Sequence, residues 1–125
     1  MADDSKIFLA LGATSAVAAI LVGSVAAHLP NEQLAVSQSF YLPAMQYHQL
    51  HALGLMIVGL AAARFDRSPW LRWSGWLMLV GTLLFSGNLY LRSFFGYHEL
   101  HALTPYGGLA FLLAWLLLAI GVLRA

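Results

Sequence analysis

Four long stretches of this chain carry no charged residue at all, and short polar breaks bearing proline or arginine separate them. A helix rises about 1.5 Å per residue, so the ~30 Å hydrocarbon core of a bilayer takes roughly 20 apolar residues. Residues 7–27, 45–63, 73–91 and 105–123 each meet that length. The pattern predicts an all-α protein, an integral membrane four-helix bundle forming one transmembrane domain over residues 1–125. The second stretch carries His48 and His51 and the third Ser86 and Asn88; such groups are tolerated in a span when they face the bundle or sit near its edge. Local signals agree with the boundaries. Ser68-Pro69 and Thr104-Pro105 each read as an N-cap followed by proline at the first helical position, and Leu29-Pro30-Asn31 ends the first stretch. Residues 31–40 are polar with scattered Leu34, Val36 and Phe40, which predicts a short amphipathic helix lying on the outer surface between spans one and two.

The first stretch also invites reading as a cleaved leader, because Ser24-Val25-Ala26-Ala27 has the small residues of a cleavage site. Its flank, with Asp3, Asp4 and Lys6, is more acidic than basic, and its apolar run exceeds the usual ~7–15 residues. It is read here as a membrane helix. Gly12, Ala16, Ala19, Gly23 and Ala26 line one of its faces, and Gly107, Gly108, Ala110 and Ala114 recur in the fourth span. Small residues let helix backbones approach closely in lipid, where packing drives association.

Composition supports the same class. Hydrophobic residues make up 61% of the 125 and charged residues 9%, whereas a soluble domain needs about 25% charged to cover its surface. A net charge of +1 without any basic run gives nucleic acid no footing. The absence of cysteine excludes disulfides, thiolate catalysis and sulfur-ligated metals. With an even number of spans, Lys6, Arg64, Arg67, Arg72 and Arg124 fall on one side and only Arg92 on the other. The excess of basic residues on the inner side predicts cytoplasmic termini, with the connections 28–44 and 92–104 outside, in a bacterium the periplasm. Trp70, Trp73 and Trp76 suit the inner interface, and Tyr41, Tyr47 and Tyr97 the outer one.

All five histidines then share the outer side. Tyr47-His48-Gln49-Leu50-His51-Ala52-Leu53 recurs as Tyr97-His98-Glu99-Leu100-His101-Ala102-Leu103, six of seven positions being identical. If both copies are helical, each pair of histidines three apart shares a face. His48, His51, His98 and His101, with Glu99 or His28 assisting, have the chemistry of a copper or zinc shell. The alternative is interfacial histidines bound to water, lipid or backbone. No phosphate loop, nucleophile motif or intramembrane carboxylate pair is present, so no catalytic residues are assigned and the chain is expected not to be an enzyme.

Gly23-Ser24-Val25-Ala26-Ala27-His28, Gln46-Tyr47 with His51-Ala52-Leu53, Gly81-Thr82-Leu83-Leu84-Phe85-Ser86-Gly87-Asn88-Leu89-Tyr90, and Thr104-Pro105-Tyr106-Gly107-Gly108 occur in this order. Together they resemble the YgdD-like family of small bacterial inner-membrane proteins, relatives of a small eukaryotic transmembrane protein. The resemblance implies a four-span protein in the bacterial inner membrane and names no activity. His28 and His51 match its pattern, while His48, Glu99, His98 and His101 depart from it. A site shared with the family is expected on Tyr47, His51, Ser86, Asn88, Tyr90 and Thr104. The leading expectation for function is an accessory or assembly subunit of a larger membrane complex. A periplasm-facing metal protein and a quinone- or lipid-binding bundle stay open beside it.

Overall fold

The computed structural model of the chain describes residues 2–29, 31–65 and 68–125, with side chains for 4–29, 39–65 and 68–125. Every element among them is helical: α1 (Ala2–Ala27), α2 (Asn31–Arg64), α3 (Pro69–Gly81), a π-helical segment (Thr82–Gly87), α4 (Asn88–Phe95), a 3-10 turn (His101–Leu103) and α5 (Thr104–Leu123). Among the described residues three rods are long and apolar enough to cross a membrane, Asp4–Ala27, the continuous rod Pro69–Phe95, and His101–Leu123. The second expected span is helical but is not among them, because Gln46, His48, Gln49 and His51 dilute its apolar character.

Residues 31–40 are helical as expected, but they do not form a separate surface helix. They run without a break into α2, which continues through Pro43 for 34 residues. At 1.5 Å per residue such a helix is about 50 Å long, well beyond the hydrocarbon thickness. The side chains of Leu34 and Val36, on which the amphipathic reading rested, lie outside the described residues, as do Pro30 and Arg67. Ser68 caps α3 as its sequence predicts: its hydroxyl accepts from the Leu71 N–H at 3.3 Å, with Pro69 in the first turn. Thr104 does not cap α5. The 3-10 turn winds directly into the helix, so Thr104 already has helical angles (φ −57°, ψ −46°) and its N–H bonds to the His101 carbonyl. Its hydroxyl is buried without a partner.

The helices run antiparallel in chain order, α1 along α2 and α5 along α3, with α2 also against the rod formed by α3, the π segment and α4. Gly12 of α1 lies so close to Ala52 and Met56 that a Cβ there would stand 2.7 Å from the Ala52 carbonyl oxygen and 2.9 Å from the Met56 nitrogen. Gly59 of α2 returns the approach against Leu9 and the Ser5 carbonyl. Gly12, Ala19 and Ala26, seven apart, are the buried members of the small-residue stripe. Lipid is as apolar as leucine, so close backbone packing, rather than hydrophobic burial, is what holds such a pair together. Phe8, Leu55, Val58, Met78 and Ala114 form the centre of the bundle.

One end collects the start of α1, the end of α2, the start of α3 and the end of α5. There Arg72 donates to Asp4 at 3.0 Å, and Gly121 packs on Leu71 and Trp70. This end carries Lys6, Arg64, Arg72 and Arg124, as the charge pattern predicted. The opposite end gathers Tyr41, Tyr90 and Phe94 in contact, with Arg92 over the Phe40 ring.

Candidate functional site

The first copy of the repeated motif lies inside α2, whereas the second is split between loop and turn at residues 97–100 and the 3-10 turn His101–Leu103. Gly96, in the left-handed region at φ +67°, ends α4 and turns the chain away, and residues 97–100 are loop and turn. His98, Glu99 and His101 are all exposed there. Sequence identity carried the residue types across but not the conformation, which the flanking glycine decided. His28 is exposed at the end of α1, where its Nδ1 donates to the Ser24 carbonyl at 2.7 Å. The expected metal shell is therefore not assembled: among the described residues no three of His, Cys, Asp and Glu converge.

His48 and His51 are instead buried within the bundle, 5% and 1% exposed. Nor do they lie at its edge, since His48 reaches Ser15 in mid-α1 and His51 reaches Trp115 in mid-α5. Three residues advance a helix by about 300°, leaving the two rings roughly 60° apart. That divergence sends them to different neighbours. The two nitrogens of His48 bridge hydroxyls of separate helices, Nδ1 to Tyr90 Oη at 2.8 Å and Nε2 to Ser15 Oγ at 3.0 Å. The Tyr90 hydroxyl also lies 3.7 Å from Met45 Sδ.

His51 is fixed more tightly. Its Nδ1 is 2.7 Å from the Tyr47 carbonyl, which can only accept, and its Nε2 is 2.9 Å from the Trp115 indole N–H, which can only donate. Both bonds hold only for a neutral ring protonated on Nδ1. No lone pair remains for a metal. The ring stacks on Phe111 at 3.5 Å between centroids and 11° between planes, and Phe111 meets Tyr47 at 6.0 Å and Phe85 at 5.7 Å. These rings line a groove of about 540 Å³ between α2, the π segment and α5.

Of the other expected polar residues, Ser86 and Asn88 bond to helix carbonyls, as does Ser74, which was not expected, whereas the buried Thr104 hydroxyl has no partner. Ser86 donates to the Ala44 carbonyl at 2.8 Å, Ser74 to the Ala114 carbonyl at 2.6 Å, and Asn88 to the Leu84 carbonyl at 2.7 Å, one turn back within the π segment. A π turn shifts the backbone ladder by one residue, and side chains inserted nearby supply the bonds it leaves open. Tyr47, His51, Ser86, Asn88, Tyr90 and Thr104 thus form no single site. They separate into a His51 set on the α5 side, a His48–Tyr90 set on the α1 side, Ser86 and Asn88 bonded to helix carbonyls, and an unpartnered Thr104. Sequence reasoning missed Ser15, Phe111 and Trp115. Trp115 alone carried a signal, as the one tryptophan placed away from the 70–76 belt, with an N–H in mid-span that needs an acceptor.

Comparison with known proteins agrees with a membrane bundle. The family model described as "Protein of unknown function (DUF423)" matches residues 22–108. A membrane protein of Bacillus subtilis, YwdK, is 36% identical over 124 residues, covering 95% of this chain and 98% of its own. A membrane protein of Staphylococcus epidermidis is 35% identical over 120 residues, covering 95% and 97%. The inner membrane protein YgdD of Escherichia coli is 33% identical over 122 residues, covering 96% and 92%. No solved structure matches. With the family model over most of its length and relatives matched end to end, this membrane protein belongs to the DUF423 family.

Proposed function

We propose that the protein is a non-enzymatic subunit of a larger membrane complex, built to present its lipid-facing helices to other membrane proteins. The observation that carries this reading is how nearly closed its polar interior is: among the described residues only the Thr104 hydroxyl is buried without a partner. His48, His51, Ser74, Ser86 and Asn88 are all engaged with partners inside the bundle. A catalytic site needs a donor, acceptor or nucleophile directed at a substrate. Here the buried groups hold helices together, while the outer faces of α1 and α5 offer Ile20, Leu21, Leu113 and Leu116, all at least 49% exposed. A photo-crosslinking residue at Leu113 or Leu116, compared with Ile20 or Leu21, tests the idea in intact membranes. One face is expected to yield a single discrete adduct with another protein, and buried Ala114 none. Adducts with lipid or with the chain itself on every face would overturn the reading. A second reading, favoured by the aromatic groove beside Tyr47 and Phe111, is a quinone or lipid tail held there. It predicts lipid-only adducts confined to that groove.

The reading includes four crossings with both termini in the cytoplasm. Its support is geometric: α1 and α3 start at the same end of the bundle, so α2 must carry the chain back between two apolar rods. The basic end would face inward. The cysteine-free chain makes this directly measurable. In intact cells a membrane-impermeant maleimide is expected to label His98→Cys, and to label Ala125→Cys only after permeabilisation. The reverse order would invert the topology.

A further inference from the structure

At the basic end, the turn into α3 and the end of α5 enclose a cavity of about 590 Å³. Two guanidinium groups from separate elements line it, Arg64 at the end of α2 and Arg124 just beyond α5, with Ser68, Pro69 and Trp70 of the α3 entry. Aromatic rings hold both arginines: Arg124 lies 5.7 Å from the Trp70 centroid and Arg64 5.2 Å from that of Phe65. Arg72 by contrast is paired with Asp4. Ala125 completes the lining, so one main-chain carboxylate shares the cavity with the two guanidinium groups, and no aspartate or glutamate side chain joins it among the described residues; Asp66, two positions after Arg64 in the chain, lies outside them. A second hollow of about 200 Å³ shares Pro69 and Trp70 with the first and continues along Trp73 and Leu117. Its walls are wholly apolar, and Trp73 is 62% exposed on the outer surface.

A chamber with two guanidinium groups, one net positive charge after the Ala125 carboxylate, beside an apolar trough has the two-part chemistry of an anionic phospholipid. Guanidinium forks bind phosphate oxygens well, tryptophan belongs at headgroup level, and basic pockets at the ends of spans take anionic lipid heads. We propose that this cavity holds the phosphate of one anionic phospholipid between Arg64 and Arg124, with an acyl chain along Trp70, Trp73 and Leu117. The proposal rests on the bundle lying in a bilayer and not on the accessory role.

Native mass spectrometry of the purified full chain in detergent, with phosphatidylglycerol, phosphatidylcholine or sodium phosphate added, tests it. The wild type is expected to retain one phosphatidylglycerol per chain at concentrations where phosphatidylcholine is lost. Arg64→Gln and Arg124→Gln should each weaken retention about fivefold and the double variant about 25-fold, whereas Arg92→Gln at the other end leaves it unchanged. Melting curves without lipid establish that each variant is folded. If the double variant is not, the Arg64→Lys and Arg124→Lys pair, which keeps charge but loses the fork, is expected to retain phosphatidylglycerol with intermediate affinity. Equal retention by the folded double variant or equal loss in Arg92→Gln would overturn the proposal. So would displacement of the lipid by sodium phosphate at matched concentration, which would make the ligand a free anion.

Discussion

Gly12→Val is expected to destabilise the bundle by about 3 kcal/mol, with α1 detaching from α2 first. The reason lies in what the new side chain would meet. A Cβ at residue 12 stands 2.5 Å from Met56 Cγ, 2.7 Å from the Ala52 oxygen and 2.9 Å from the Met56 nitrogen. Methionine can swing aside, but two of those three atoms are backbone of a continuous helix and cannot. The contact would therefore open by translating α1, which also loosens the reciprocal approach at Gly59 and the Ser15–His48 bond. Gly23→Ala is the internal control. There the nearest atoms are Met45 Cε at 3.8 Å and the Tyr41 hydroxyl at 4.0 Å, so the added methyl fits. Alanine also favours helix by about 1 kcal/mol over glycine, and the change is expected to be neutral or stabilising. Unfolding in mixed detergent micelles measures both. A Gly12→Val chain as stable as the wild type would mean that the close approach is not what holds these helices.

His51→Ala is expected to cost about 3 kcal/mol, through effects of unequal size. The hydrogen bond from Trp115 is the smaller one. Polar bonds between membrane helices average only ~0.6 kcal/mol, because the separated helices also find partners. The larger one is the cavity left when a ring that is 1% exposed and stacked on Phe111 is truncated. Trp115→Phe, which keeps a ring and removes the N–H, should cost only about 1 kcal/mol. The two substitutions should couple by about 0.5–1 kcal/mol in a double-mutant cycle. Nitrogen NMR of the wild-type ring is expected to find Nδ1 protonated and Nε2 bare. A proton on Nε2, or no coupling with Trp115, would remove the bond from the account.

The sequence made the hairpin ends legible, because proline, serine and arginine act locally. Ser68 caps and Gly12 packs through atoms a few residues or one helix away. Thr104 failed as a cap for a reason the residue alone does not contain: the 3-10 turn before it had already set helical angles. The repeated heptapeptide misled in the same manner, since its second copy is set between Gly96, at positive φ, and Pro105, where the first is set inside a continuous helix. His48 and His51 stand out in the sequence as candidate metal ligands, and the structure buries both among bundle partners. Their roles were hidden because a helical period gives the angle between two rings and says nothing of which helix stands in each direction. That assignment follows from α1 and α5 flanking α2 on different sides, a fact of packing that no local pattern encodes.

The π segment gives the third rod an unusual tolerance. A π turn holds one residue more than the α-helical stretch it replaces, so its two halves are in phase only because that residue is accommodated between Thr82 and Gly87. Deleting a single residue there lets the stretch revert to α geometry and leaves Ser74 and Tyr90 on their present faces. The same deletion in α3 would turn everything beyond it by about 100° and carry Tyr90 away from His48. Change in length is thus absorbed at one place along this rod and is ruinous in α3 before it.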